Sequence, residues 1–128
     1  MENFSGLTPE ERARLLDLEK SVELDKARPK IKKDFLSFVK YVWPEFIEGS
    51  HHKKINKKFN DLASGKIKRL IINMPPRHTK SEFASYLLPA WMIGKNPKLK
   101  IIQATHTADL AIDFGRKTKN LVDESHYR

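Results

Sequence analysis

The chain has 128 residues and carries 25 Lys and Arg against 16 Asp and Glu, a formal net charge of +9 at pH 7. This length allows one domain with a hydrophobic core and excludes a two-domain enzyme. No apolar run approaches the roughly 20 residues needed to cross a bilayer, and the polar N-terminus lacks a signal-peptide pattern. Because there is no cysteine, disulfides and thiolate metal sites are excluded. We therefore expect a soluble, cytosolic protein.

The positive charge is distributed unevenly along the chain. Residues 1–25 hold seven acidic and three basic side chains, a net charge of −4, so residues 26–128 carry +13. An excess of this size is typical of proteins that contact nucleic acid or an anionic membrane, because phosphate contacts release condensed counterions. A charged surface that only confers solubility explains the same numbers, so both interpretations stay open.

Two helices are predicted in residues 1–42, which we treat as an N-terminal helical segment. The first begins with a capping box over Thr8–Glu11 and ends near Lys26, because Arg28-Pro29 interrupts the helical pattern. The second carries an apolar stripe at helical spacing, which indicates a face packed in the core. The stripe consists of Phe35, Phe38, Val39 and Val42.

A third helix is predicted from Ser50, as N-cap, to the residue before Gly65. Its two faces differ. One face is apolar and consists of Ile55, Phe59 and Leu62. The opposite face, which we call the lysine face, consists of Lys53, Lys54, Lys57 and Lys58. Because four neighbouring lysines repel one another, a phosphate-contacting role and a merely solvated face are equal alternatives.

Residues 43–128 predict an α/β fold. Two short aliphatic runs, 69–74 and 99–104, are typical of β-strands buried on both faces. Between them, an apolar stripe from Phe83 to Trp91 predicts a helix that closes near Gly94, and a last helix starts around Thr107. Alternation of strand and helix indicates a parallel sheet, here preceded by the N-terminal helices.

The loop over residues 75–81, Pro-Pro-Arg-His-Thr-Lys-Ser, lies between a predicted strand and a helix. Free backbone N–H groups and the positive end of the helix dipole favour a polyphosphate there. Compared with the phosphate-loop pattern G-x-x-x-x-G-K-[ST], Lys80 and Ser81 match, while Met74 and Thr79 replace the two glycines. Since Thr79 adopts positive φ less easily than Gly, we expect a different loop backbone. A basic turn that only caps a helix is the alternative.

The stretch 70–82, together with His51-His52 and residues 65–69 before it, resembles the ATPase domain of large terminase subunits of tailed bacteriophages. The resemblance covers residues 43–128 and includes Leu88-Pro-Ala-Trp91, Asn96-Pro97 and Phe114-Gly-Arg116. In that family the glycine before the lysine is often replaced. The resemblance implies the first part of a P-loop ATPase domain of the ASCE type, within a motor that drives double-stranded viral DNA into a procapsid in the host cytoplasm. It further implies the portal and small terminase subunit as partners, and a homo-oligomeric ring in the full-length protein.

The same resemblance implies roles for single residues. The phosphates of ATP would be bound by Pro76, Arg77, His78, Thr79, Lys80 and Ser81. Within this set Lys80 would contact the β and γ phosphates and Ser81 the Mg²⁺ ion. Arg77 would stabilise charge on the γ-phosphate like an arginine finger in cis, or contact phosphate without a catalytic role. His78 would contribute mainly its backbone N–H.

Two further sites carry alternatives. His51 and His52 occupy the region where related motors approach the adenine, although histidines at such places more often pack or cap a helix. Thr105, His106 and Thr107 are similar to a helicase motif that holds a nucleic-acid phosphate. A helix N-cap formed by Thr107 explains these residues without DNA.

The acidic machinery for ATP hydrolysis is not recognisable. This class of ATPase needs an aliphatic strand that ends in Asp-Glu, and the only such pair, Asp123-Glu124, ends a helical pattern. No acidic cluster has two-metal spacing either. We therefore expect the N-terminal part of a terminase large subunit, without its acidic strand and nuclease domain, that binds ATP without turnover. The alternatives are a stand-alone basic nucleic-acid-binding module with a vestigial loop and a fragment of a helicase-like ATPase.

Overall fold

A computed structural model describes residues 8–124 and Tyr127; the remaining residues of the predicted segments 1–42 and 43–128 lie outside this description. The helices are α1 (Pro9–Lys33), α2 (Phe35–Val42), α3 (Ser50–Ala63), a π-helical segment (Glu82–Leu87) that continues into α4 (Leu88–Lys95), and α5 (Ala108–Asp123). Within the described ranges there is no β-strand.

The predicted α/β fold with a parallel sheet is therefore wrong for the described residues, and with it the predicted P-loop ATPase architecture. Residues 69–75 and 99–105 lie in irregular segments without a strand partner. Their central residues Ile71 and Ile102 are 87% and 96% exposed, whereas a strand buried on both faces was expected. The first run covers the helical core with one side only, through Leu70, Ile72 and Met74. An aliphatic run becomes a strand only when a neighbour supplies backbone hydrogen bonds.

The described residues up to Lys30 and those from Ile31 onward form two compact units. In the first unit the capping box is confirmed, because the Glu11 carboxylate accepts from the Thr8 N–H at 2.8 Å. The helix is longer than predicted and continues through Pro29, which removes one helical hydrogen bond without ending α1. None of the α1 residues is buried. No helix in residues 8–124 is apolar over a length that would cross a membrane.

The core of the second unit is an aromatic cluster centred on Phe35. Its ring centroid lies 5.0 Å from that of Phe59, 5.4 Å from Phe83 and 5.6 Å from Trp91, all edge-to-face. The Trp91 indole N–H donates to the Ile31 carbonyl at 2.8 Å, so its polar atom is satisfied. The apolar stripes predicted for the second and third helices are thereby confirmed as core.

A polar cluster around Asp34 joins α2 to α3. The Asp34 carboxylate caps α2 by accepting from the Ser37 N–H, and it also accepts from the side-chain amides of Asn56 and Asn60, each at 2.8 Å. The two amide oxygens accept in turn from the N–H groups of Leu36 and Phe35. Burial raises the pKa of Asp34, but these hydrogen bonds outweigh burial and hold it below its usual value.

A side-chain contact links the helix after the loop 75–81 to the segment 99–105. The Ser85 carbonyl accepts from the Gln103 side-chain amide at 3.0 Å. Pro89, which has no N–H to donate, follows in the same helix. The π-helical segment lies in this stretch, directly after the loop. Gln103 thus ties the irregular segment 99–105 to the helix that follows the loop.

Candidate functional site

The loop 75–81 has an unusual backbone. Arg77 and Thr79 both adopt left-handed conformations, with φ of 63° and 59°. Alternating left-handed residues turn successive N–H groups toward one side and form concavities that bind anions. Thr79 occupies the position of the second glycine in the phosphate-loop pattern and has a positive φ, which threonine adopts less easily than Gly. The expected difference from the backbone of a glycine-containing loop stays a prediction.

The loop leads directly into a helix. Lys80 and Ser81 are the first helical residues, and the Thr79 carbonyl accepts from the Phe83 N–H at 2.9 Å. The first N–H groups of a helix have no acceptor within it, and they carry the positive end of the dipole. The left-handed turn and the helix start therefore lie next to each other in the chain, as an anion site requires.

The cationic side chains of the loop are exposed. Among the described residues Arg77 and Lys80 form no ion pair, and the Lys80 ammonium reaches only the Met74 carbonyl, at 3.4 Å, which is long for such a hydrogen bond. The neighbouring acidic residue Glu82 is bound by Lys117 at 3.5 Å. Both loop cations are thus free to contact an anion, while the nearest carboxylate in the sequence is already paired.

His52 connects α3 to the loop. Its Nδ1 accepts from the Gly49 N–H at 2.8 Å, so the His52 side chain caps the start of α3. The N-cap residue is Gly49, and not Ser50 as predicted. The His52 Nε2 lies 2.8 Å from the Thr79 hydroxyl, which donates to the His78 carbonyl at 2.6 Å. The imidazole is 5% exposed and packs against Phe46 and Phe83. His52 thus packs in the core and caps the start of α3, the alternative that the sequence offered for it, whereas its contact with Thr79 was not predicted.

The pKa of His52 is lowered by burial, and further by the neighbouring His51 and His78, while Glu48 opposes the shift. Because the unfolded chain then binds a proton that the folded chain does not, stability is complete above pH 6.5, the reference value, and declines as the pH falls below it. Urea unfolding between pH 7.5 and 5 should show this decline in the free energy of unfolding. In His52→Asn the free energy of unfolding should fall less steeply with decreasing pH. The variant His106→Asn, at an exposed position, should keep the wild-type slope; equal slopes in all three proteins would contradict the prediction.

His51 contacts both His52 and His78. Its ring centroid is 3.8 Å from that of His52 and 5.6 Å from that of His78. Its Nε2 is buried and has no hydrogen-bond partner in the described part of the chain. The structure therefore places His51 and His52 next to His78 of the loop. A contact with adenine stays a prediction for His51 and His52.

The lysine face of α3 is exposed along its length. Glu48 pairs with Lys53 at 3.6 Å and with Lys40. The remaining members, Lys54, Lys57 and Lys58, form no ion pair with any residue that the structure describes. Three uncompensated charges on one and a half helical turns leave this face open to an anionic partner.

Two of the three predicted DNA-contacting residues, Thr105 and Thr107, use their hydroxyls in hydrogen bonds within the chain. The Thr107 hydroxyl caps α5 by accepting from the Leu110 N–H at 3.4 Å. The Thr105 hydroxyl donates to the Thr107 carbonyl at 2.6 Å. His106 is exposed. In the described ranges no hydrogen bond or ring contact joins these residues to the loop, and their contact with DNA stays a prediction.

One residue of the loop, Ser81, could coordinate Mg²⁺. The Ser81 hydroxyl is exposed and makes no capping hydrogen bond. This fits Mg²⁺, which keeps several waters and commonly takes one or two protein oxygens plus those of the phosphates. No cluster of three His, Cys, Asp or Glu side chains that could hold a metal lies within residues 8–124.

Asp123 ends α5 and Glu124 caps it, so this acidic pair stands at the end of a helix, as expected.

Comparison of the chain with models of protein families, with curated proteins and with solved structures finds no match.

Proposed function

We propose that the chain binds the triphosphate of ATP, together with Mg²⁺, through the loop 75–81. The observation that carries this proposal is the pair of left-handed residues, Arg77 and Thr79, immediately before a helix that begins at Lys80. Backbone N–H groups of such a turn and of a helix start favour the same ligand, a compact anion with several acceptor oxygens. The proposal needs no β-sheet, since the anion would be held by the loop and the helix start alone.

Three side chains would complete the site. Lys80 would exchange its long contact with the Met74 carbonyl for the β and γ phosphates, which accept a stronger, charge-assisted hydrogen bond. Arg77, which is exposed, would bind a phosphate through its planar guanidinium. The Ser81 hydroxyl would hold Mg²⁺, which supplies charge neutralisation on the phosphates.

The wider role that we propose is the phosphate-binding part of a DNA-packaging motor similar to large terminase subunits. Its support is the residue pattern of 70–82, with Lys80 and Ser81 in the places that the resemblance implies. Viral DNA, the portal, the small terminase subunit and a homo-oligomeric ring stay predictions of that resemblance. Because Asp123 and Glu124 stand at the end of a helix, we expect binding of ATP without turnover.

A second candidate function is nucleic-acid binding through the lysine face of α3. Lys54, Lys57 and Lys58 favour it, because they are exposed and form no ion pair within residues 8–124. Such binding would depend steeply on salt, because each phosphate contact releases counterions. It would not respond to ATP.

The test of ATP binding compares Lys80→Ala with Lys98→Ala, which removes the same charge from another exposed position. A fluorescent ATP analogue is titrated in the presence of Mg²⁺. We expect Lys80→Ala to weaken binding about 10- to 100-fold, the loss of one charge-assisted hydrogen bond, and Lys98→Ala to stay near wild type. Equal affinity in both variants would refute the site. Salt-dependent DNA binding without any ATP binding would favour the second candidate.

A further inference from the structure

We infer that His52 is a positioning residue of the loop 75–81: its neutral Nε2–H tautomer holds Thr79 in the left-handed conformation that shapes the anion-binding turn. The inference rests on the proposed function in one respect, since its effect on phosphate affinity requires that the loop binds phosphate. The contact itself is independent of any ligand.

The hydrogen bonds at both ends of the contact require the same tautomer. At one end the Gly49 N–H can only donate, so Nδ1 of His52 accepts and carries no proton. In the neutral ring the proton then lies on Nε2. At the other end the Thr79 hydroxyl gives its own proton to the His78 carbonyl and is left as an acceptor. The 2.8 Å contact is therefore a hydrogen bond from Nε2–H to the Thr79 oxygen.

Thr79 needs such support because its backbone conformation is unfavourable. A β-branched residue with φ of 59° is an outlier, since its Cβ crowds the backbone in the left-handed region. Conformations of this kind persist only where the surroundings hold them. The Thr79 side chain is held from both sides, by His52 and by the His78 carbonyl. A glycine at this position would need no such contact.

His52 can act as a fixed support because it is itself immobilised. It is 5% exposed, its ring packs against Phe46 at 4.7 Å and Phe83 at 5.1 Å between centroids, and its other nitrogen is bound to the start of α3. The aromatic core thus extends through one ring to the loop. Protonation of His52, which burial, His51 and His78 oppose and Glu48 favours, would place an N–H against the Gly49 N–H and break the contact with α3.

The first test is a double-mutant cycle that combines His52→Asn with Thr79→Gly. For each variant we measure the affinity for a fluorescent ATP analogue in the presence of Mg²⁺. Asn can still accept from the Gly49 N–H but cannot reach Thr79, so α3 keeps its cap. We expect His52→Asn to weaken binding about fivefold, the value of one ordinary hydrogen bond. In the Thr79→Gly background, where no support is needed, the same substitution should change affinity less than twofold. An equal loss in both backgrounds, or no loss in either, would overturn the inference.

A second variant approaches the contact from the loop. Thr79→Val removes the accepting hydroxyl, keeps the side-chain shape and leaves α3 untouched, so it tests the contact even where His52→Asn fails to fold. We expect the same fivefold loss as for His52→Asn, and a combined variant no weaker than either alone, because both delete one hydrogen bond. Thr79→Ser, which keeps the hydroxyl that accepts from His52, should lose less affinity than Thr79→Val. Full affinity in Thr79→Val would contradict the inference.

A measurement without ATP separates the inference from the proposed function. Long-range ¹H–¹⁵N spectra of the full chain at pH 7.5 should show His52 as the Nε2–H tautomer. The backbone amides of residues 77–80 should shift in His52→Asn, whereas His106→Asn, at an exposed position, should leave them near their wild-type positions. These results in a protein that binds no ATP would support the contact and refute the proposed function. The Nδ1–H tautomer, or unmoved loop amides in His52→Asn, would refute the inference.

Discussion

Replacing Phe35 with Ala is expected to lower the free energy of unfolding by about 4 kcal/mol, the largest effect of any single substitution considered. Phe35 is fully buried, and three aromatic rings contact it edge-to-face at centroid distances of 5.0 to 5.6 Å. Truncation would remove its apolar surface from the core and leave a cavity between Phe59, Phe83 and Trp91, which come from three different helical segments.

Urea unfolding followed by circular dichroism measures this effect. Ile102→Ala is the control, because Ile102 is 96% exposed and its truncation should change the free energy of unfolding by less than about 0.5 kcal/mol. A loss below about 1 kcal/mol in Phe35→Ala would mean that the aromatic cluster is not the core. A native protein whose total stability is near 5 kcal/mol would be left barely folded by the predicted loss.

Asp34→Ala is expected to lower the free energy of unfolding by about 3 kcal/mol at pH 7, the second largest effect. The substitution removes the cap of α2 and the carboxylate that accepts from the side-chain amides of Asn56 and Asn60. The Asn60 amide would keep only its longer hydrogen bond, at 3.3 Å, to the Asn56 amide oxygen. Asn56 and Asn60 would then be poorly placed to accept from the first N–H groups of α2. One side chain thus organises the contact between two helices.

The matched control is Asp109→Ala, which removes an exposed carboxylate from the first turn of α5 and should lower the free energy of unfolding by less than about 1 kcal/mol.

The contribution of Asp34 to stability also depends on pH. Because its pKa in the folded protein is lowered, its contribution is complete above pH 3.8, the reference value, and declines as the pH falls through the lower folded value. Wild type and Asp34→Ala should therefore converge in strong acid. A constant difference down to pH 2 would contradict the account of Asp34.

Local patterns predicted the helices, because the apolar spacing and the caps that form a helix lie within a few residues of each other. The capping box at Thr8 and the stripe from Phe35 to Val42 are examples. The strands could not be predicted in this way. An aliphatic run such as 69–74 matches a buried strand in composition, yet whether it pairs depends on a partner elsewhere in the chain. The exposed Ile71 and Ile102 show that no such partner covers these runs within the described residues.

The position of the loop could be predicted from the sequence, because Lys80 and Ser81 are adjacent. The backbone geometry of the loop could not be predicted. Thr79 adopts a positive φ, although threonine disfavours this conformation. Its hydrogen bond comes from His52, which is 27 positions away in the sequence. Contacts of this kind follow from how α3 packs beside the loop, and neither spacing nor composition contains that information. Asp34 with Asn56 and Asn60 was missed for the same reason.

The most direct measurement of the central claim is a titration of ¹⁵N-labelled protein with Mg·ATP, followed in ¹H–¹⁵N correlation spectra. The account predicts saturable shifts of the backbone amides of residues 77–81, and their loss in Lys80→Ala. Inorganic triphosphate should move the same amides, since the loop recognises phosphate. Shifts that are absent from residues 77–81, or that are confined to the lysine face of α3, would contradict the claim that this loop binds ATP.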